Sequence, residues 1–134
     1  MEDIKMKLIE KATKARLNAY TPYSKFNVGA ALLLKNGDII TGCNVENASY
    51  GLCNCAERTA LFSAYAKGIR KDDIIAMSIV ADTLGPCSPC GACRQVMAEL
   101  LLPDTPIHMA NLKGDSLTMT VKELLPYSFG GDDL

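Results

Sequence analysis

Four of the six cysteines in this chain stand in two tight groups, Cys53-Asn54-Cys55 and Cys90-Gly91-Ala92-Cys93. Thiolates at such intervals suit zinc better than hard cations, which prefer oxygen. Cysteines three apart at a helix start project onto one face of that helix, so Cys90 and Cys93 can grip one ion. Cys55, from far upstream, would close a three-point mount. Zinc held by only three protein ligands keeps a fourth position for water, which then ionises at around neutral pH. Glu57, two residues beyond Cys55, is the only carboxylate inside either group and therefore the candidate to move protons beside that water.

Other cysteine sets remain open on spacing. Cys53, Cys55, Cys90 and Cys93 together would make a closed structural zinc, the centre of a non-enzymatic binding module, although Cys-x-Cys is tighter than usual structural spacings and leaves Glu57 without a role. Cys87, Cys90 and Cys93 repeat part of an iron-sulfur run but lack its fourth cysteine and its Cys-Pro ending. Three thiolates on a dication leave a net negative centre. Arg58 and Arg94, each within a turn of a ligand, could offset that charge by donating to sulfur. Cys43 reads as a buried strand residue.

The elements that must position these residues follow from periodicity. From about Asp3 to Ala19 the apolar positions Ile4, Leu8, Ala12, Ala15 and Ala19 predict an amphipathic helix, ended by Thr21-Pro22-Tyr23-Ser24. Val28 to Leu34 is an apolar strand, Asn36-Gly37 suggests a tight two-residue hairpin, and a second strand over about Ile39 to Val45 delivers Asn44 and Glu46 to its far end. Cys55 to about Lys67 reads as a helix with Ala56, Ala60 and Ala64 along one side and Gly68 as its stop. Ile74 to Val80 is a strand covered on both faces. A loop, a helix from Gly91, a short strand near Pro106 to Ala110, a turn at Lys113-Gly114-Asp115 and a short helix around Val121 to Leu125 complete the chain. This order predicts an α/β sandwich on a mixed sheet. Both cysteine groups then fall at helix starts, where unpaired N–H groups and the dipole favour thiolate.

Length and charge bound the rest. The 134 residues, 49% hydrophobic, predict one domain over 1–134. With 14 Lys and Arg against 15 Asp and Glu, the broad positive surface that a polynucleotide needs is missing, so no nucleic-acid partner is expected. No apolar run approaches the roughly 20 residues of a spanning helix, so no membrane partner is expected either. Met1-Glu2-Asp3-Ile4-Lys5 lacks a secretory apolar region, which places the chain in the cytoplasm and its cysteines as thiols or metal ligands.

Cys55-Ala56-Glu57 followed by Pro89-Cys90-x-x-Cys93 resembles the zinc-dependent nucleoside deaminases, a class whose known arrangement includes three cysteine ligands and a non-ligand glutamate, so the chemistry that follows is inherited from it. Tyr20-Thr21-Pro22-Tyr23-Ser24-Lys25-Phe26, Val28-Gly29-Ala30-Ala31-Leu32, Gly42-Cys43-Asn44-Val45-Glu46-Asn47-Ala48 and Leu124-Leu125-Pro126 with Phe129 are similar to the short, homotetrameric cytidine deaminases. That resemblance implies an α/β/α sandwich with a mixed central sheet of about five strands. It implies one zinc per chain on Cys55, Cys90 and Cys93, with hydroxide adding to C4 of cytidine, and of 2'-deoxycytidine, and Glu57 shuttling protons to release ammonia in pyrimidine salvage. It places Phe26, Asn44, Glu46, Ala56 and Phe129 against the nucleoside, Arg58 on the thiolates, and the active sites of a homotetramer at subunit interfaces, with Tyr50 reaching across. A carboxylate at Glu46 would accept from sugar hydroxyls and repel a phosphate, which favours a free nucleoside. Polynucleotide and deoxycytidylate deaminases usually present histidine as first ligand, where this chain has Cys55. Its single histidine, His108, is expected to pack in a strand. Blasticidin deaminase also resembles the chain at the cysteines but lacks the Asn44-to-Asn47 block.

Overall fold

A computed structural model describes residues 2–134. The first helix, α1 (Glu2–Ala15), is followed by a 3-10 turn over Arg16–Asn18, then β1 (Val28–Leu34), β2 (Ile39–Cys43), α2 (Ala56–Ala66), β3 (Ile74–Ala81), α3 (Gly91–Leu100), β4 (Pro106–Asn111), β5 (Ser116–Thr120) and α4 (Val121–Leu124). The five strands form one sheet in the order β2-β1-β3-β4-β5. β1 runs antiparallel to β2 and β3, β3 is parallel to β4, and β4 is antiparallel to β5, so the sheet is mixed.

Alternation along the strands sends successive side chains to two different cores. Ala31, Ala76, Val80 and Ala110 pack with Leu8 and Ala12 of α1 on one face. Ala30, Leu32, Met77, Ile79, Ile107 and Met109 pack on the other face with Ala60, Leu61 and Ala64 of α2 and Met97 of α3. The result is the expected α/β/α sandwich. β3, at the centre, is covered on both sides, which is why its sequence is continuously apolar.

Two glycines set how closely helices approach the sheet. A Cβ at Gly29 would lie 1.9 Å from the Ala12 carbonyl oxygen of α1, and one at Gly42 would lie 2.5 Å from the Ala60 nitrogen and 2.6 Å from the Ala56 oxygen of α2. The alanine stripe of α2 therefore seats directly on β2. Its C-terminus closes as a Schellman motif: Gly68, at φ +87°, donates to Tyr65 O at 3.0 Å and Ile69 donates to Ala64 O at 3.1 Å.

β2 and β3 both run antiparallel to β1, so they point the same way and end at the same edge of the sheet. The chain leaves β2 for α2 and β3 for α3, and both helices start at that edge. Chain direction alone thus brings the two cysteine groups together.

Several expectations need correction. The α-helical part of the first element ends at Ala15, four residues early, because the chain turns so that Tyr20 N reaches Asn44 O (3.0 Å) and Glu46 N reaches Tyr20 O (2.8 Å). Ile4 is 45% exposed rather than core-facing. The hairpin is longer than two residues: Leu34 N bonds Asp38 O (2.9 Å) across a turn in which Gly37 adopts φ +93°. β2 stops at Cys43, and Val45 makes only isolated bridges to Tyr20 and Asn54. β5 is an additional strand: Leu117 and Met119 alternate with Ser116, Thr118 and Thr120, but over only five residues at a sheet edge, largely exposed. His108 pairs across β4 and β5 with Thr118, its Nδ1 2.8 Å from Thr118 Oγ1. The reading of the chain start includes Met1, outside the described residues. Among the described residues no helix is long and apolar enough to cross a membrane.

Candidate active site

Cys55 is the N-cap of α2 and Cys90 the N-cap of α3, with Cys93 in the first turn of α3. The Sγ atoms of Cys55 and Cys90 are 3.8 Å apart, and all three sulfurs lie within 4.8 Å of one another. Zinc–sulfur bonds of about 2.3 Å in a tetrahedron put ligand sulfurs about 3.8 Å apart, so this donor set fits the ion. Among the described residues it is the one group of three or more metal-ligating side chains so arranged. Cys93 N donates to Cys90 Sγ at 3.5 Å, an N-terminal N–H turned toward sulfur as the helix start leads one to expect.

Charge around the sulfurs is strongly arranged. The Cys55 thiol is pulled down to about 5, first by its hydrogen bond with Cys93 and then by the Arg58 guanidinium, whose Nη2 donates to Cys55 Sγ at 3.3 Å. Cys93, the other member of that sulfur pair and fully buried, is pushed up. Arg58 is held protonated more firmly than usual, chiefly by its bond to Cys55. Its Nε is buried with no hydrogen-bond partner among the described residues, so the charge of the sulfurs compensates it. Arg94 does something else: Nε donates to Pro89 O and Nη1 to Leu124 O, both at 2.8 Å, pinning α4 to the start of α3. Glu57 lies in the first turn of α2 and is 4% exposed. Burial, and then the charge of Cys55, pushes its carboxyl up, which suits a group that must hold and release protons near neutrality.

The remaining cysteines sit apart. Cys53 Sγ is occupied by the Asn47 backbone, accepting from N at 3.3 Å and donating to O at 3.5 Å, and it is outside the sulfur cluster. Cys87 is buried in the main core, and burial pushes its thiol up to about 11. Cys43 is half-buried rather than buried.

Of the expected nucleoside contacts, Phe26, Asn44 and Glu46 belong to the loops around the end of β2, whereas Phe129 lines a separate cavity with Lys71, Ala98, Glu99, Leu101 and Pro103 towards the C-terminal end of α3. Asn44 Oδ1 accepts from Val28 N and its Nδ2 donates to Phe26 O, both at 2.8 Å, so this side chain shapes the loop before β1. Glu46 is half-buried. It accepts from Tyr23 N and Ser24 N at 3.1 Å each and from the Ser24 hydroxyl. Tyr23, Ser24, Glu46, Tyr50 and Cys53 line a cavity of about 220 Å³ there. That is smaller than the roughly 300–1,000 Å³ of usual small-molecule pockets. Phe26 is exposed beside this loop, Ala56 is fully buried, and Phe129 is 59% exposed in the C-terminal tail, where its carbonyl accepts from Gln95 Nε2 at 2.9 Å. Sequence reasoning passed over Ser24 and Asn111. A serine two residues after a turn proline, as Ser24 is after Pro22, carries the signal of a local cap. Asn111 carries only the signal of a turn, through its bonds to Lys113 and Asp115; its partners 27 and 28 residues away leave no mark in the local sequence.

Comparison with known proteins matches residues 2–109 to the model of the cytidine and deoxycytidylate deaminase zinc-binding region. A cytidine deaminase of Halalkalibacterium halodurans is 59% identical over 127 residues, 95% of each chain, and one of Sporosarcina psychrophila is 55% identical over 96% of this chain and 93% of its own. The crystal structure of cytidine deaminase from Burkholderia pseudomallei, 55% identical, superposes with a TM-score of 0.91 over 92% of this chain and 98% of its own.

Proposed function

The chain belongs to the cytidine and deoxycytidylate deaminases of the zinc-binding class, and from that membership we propose that it converts cytidine, and 2'-deoxycytidine, to uridine or deoxyuridine and ammonia. The observation that carries the reading is a buried carboxylate, Glu57, in the first turn of the helix capped by Cys55, one of the three sulfurs of a metal-competent cluster. Cys55, Cys90 and Cys93 would hold one zinc per chain. When bound, the ion supplies Lewis acidity, bringing the ionisation of water to around neutral pH.

The work of the chain's own residues follows. Glu57 takes the proton that the attacking water gives up, delivers it to N3 as C4 becomes tetrahedral, and carries the second to the amino nitrogen so that ammonia leaves. Its burial keeps the carboxyl basic enough to accept a proton and acidic enough to return it. Arg58 balances the thiolates so that the centre retains electrophilic power. Phe26 offers the base an aromatic wall, while Ala56, fully buried at the N-terminus of α2, packs behind the site. Asn44 retains one amide N–H and one lone pair beyond the bonds it makes, and the Glu46 carboxylate retains acceptor capacity, so both can meet ribose hydroxyls without giving up their loop bonds.

Residues 1–134 act as one catalytic unit in cytoplasmic pyrimidine salvage, assembled as a homotetramer whose active sites are completed across interfaces. A 220 Å³ cavity within one chain and the exposure of Tyr50 and Phe129 support that completion. The test is incubation of cytidine, deoxycytidine and blasticidin with the purified protein and with Glu57→Gln. Wild type is expected to release ammonia from the two nucleosides. The variant is expected to bind about one zinc per chain yet lose roughly 100- to 10,000-fold in turnover. Undiminished turnover by the variant, or action on blasticidin alone, refutes the proposal.

A further inference from the structure

We infer that Asn111 is a positioning residue for the proposed reaction, holding through its amide the loop that presents Cys90 to the metal. The segment from Asp82 to Pro89 joins β3 to α3 and has no regular secondary structure. Apolar burial does not fix its outer half, where Leu84 is 90% exposed. What fixes it is polar. Asn111, last residue of β4 and 5% exposed, donates from Nδ2 to Thr83 O at 3.0 Å and Leu84 O at 3.2 Å. The same Nδ2 donates to Asp115 Oδ2 at 2.9 Å, and Oδ1 accepts from Lys113 N and Asp115 N at 3.0 Å each. Two amide hydrogens serve three acceptors, so one is shared, and one side chain joins the β4–β5 turn to the loop.

Further along, Cys87 N donates to Ala110 O at 3.2 Å, and the Cys87 side chain packs in the same core as Cys93 and Ala56. The loop thus has two anchors on the end of β4, at 83–84 and at 87, and three residues later it delivers Cys90. With the first anchor loose, the path into the N-cap of α3 keeps only the Cys87 bond to β4 and the Arg94 bond to Pro89 O within α3's own start. Removing a group that orients a metal ligand usually costs about 10- to 100-fold in activity or metal affinity.

This inference rests on Cys90 as a metal ligand, and its test separates the loop from the turn. Asn111→Asp still accepts from the Lys113 and Asp115 backbone N–H groups, loses the donor to Thr83 O and Leu84 O, and sets a carboxylate against Asp115. Adding Asp115→Asn restores an amide-to-carboxylate bond within the turn but not the two loop bonds. Amide exchange over residues 112–118 is expected to return to wild-type rates in the double variant, while exchange over 83–87 stays about fivefold or more faster in both variants. Cytidine turnover is expected to fall roughly 10- to 100-fold in both, in kcat more than in KM. Loop exchange and kcat restored together with the turn in the double variant would overturn the inference. A wild-type protein inactive on cytidine would sink the proposed function instead, and the exchange measurement would still decide the role of Asn111.

Discussion

Replacing Gly42 by alanine tests whether the seating of α2 on β2 sets the active site. The added Cβ would lie 2.5 Å from Ala60 N and 2.6 Å from Ala56 O, both backbone atoms with no rotamer to yield. Relief to an ordinary 3.4 Å contact requires α2 to retreat by roughly 0.9 Å, an overpacking of the kind that costs about 1–3 kcal/mol. With an unfolding entropy of roughly 2.1 cal/mol/K per residue, a loss of that size lowers Tm by about 4–11 °C in a domain of this length. The retreat also carries the helix start, with Cys55 and Glu57, away from Cys90 and Cys93. A misplacement of about 1 Å near the reacting atoms costs on the order of 100-fold in rate. Gly29→Ala is the control. Its Cβ would meet Ala12 O of α1 at 1.9 Å, on the face of the sheet opposite the sulfurs. Calorimetry with steady-state deamination, measured well below both melting points, should show two destabilised proteins of which only Gly42→Ala has lost most of its kcat. Equal kcat losses, or a Gly42→Ala protein turning over near the wild-type rate, would refute the reasoning.

Two further outcomes follow from the site. Cys53→Ser should keep about one zinc per chain and Cys55→Ser should lose it, because Cys53 Sγ is engaged with the Asn47 backbone, outside the cluster; metal analysis of the two proteins checks this. Glu46 is held below the ordinary glutamate value of about 4.3, first by the Ser24 hydroxyl and then by the Ser24 and Tyr23 amides. A depressed carboxylate contributes above its unfolded value and stops contributing as pH falls through its folded one. Exchange at the Tyr23 and Ser24 amides, corrected for intrinsic rate, should therefore rise as the pH falls below the ordinary glutamate range in wild type and show no such step in Glu46→Gln.

Much of the fold was legible because each strand or helix with a buried face has a period that matches its geometry. β1, α2, β3 and α3 fall within a residue or two of their expected bounds. β5 was not, since an alternation of only two apolar residues, Leu117 and Met119, in a five-residue edge strand is too short to stand out. The helix that stops at Ala15 instead of Ala19 was cut short by long-range bonds to Asn44 and Glu46, which no local propensity encodes. Arg58, three residues after Cys55, and Arg94, four after Cys90, both fall within a turn of a cysteine. Only folding turns one guanidinium onto sulfur and the other onto two carbonyls.

Residue type and interval determined the chemistry available to this chain: thiols enough for a borderline metal, a carboxylate two positions from one of them, and helix starts that favour thiolate. Tertiary structure decided which thiols meet. Strands β2 and β3 ending at one edge bring Cys55 to Cys90 and Cys93, and leave Cys53, two residues away in sequence, turned toward Asn47. The physical reason is that ligand geometry is set by where helix axes end in space, and those ends depend on sheet direction and on glycine-sized gaps formed by residues far apart in the chain.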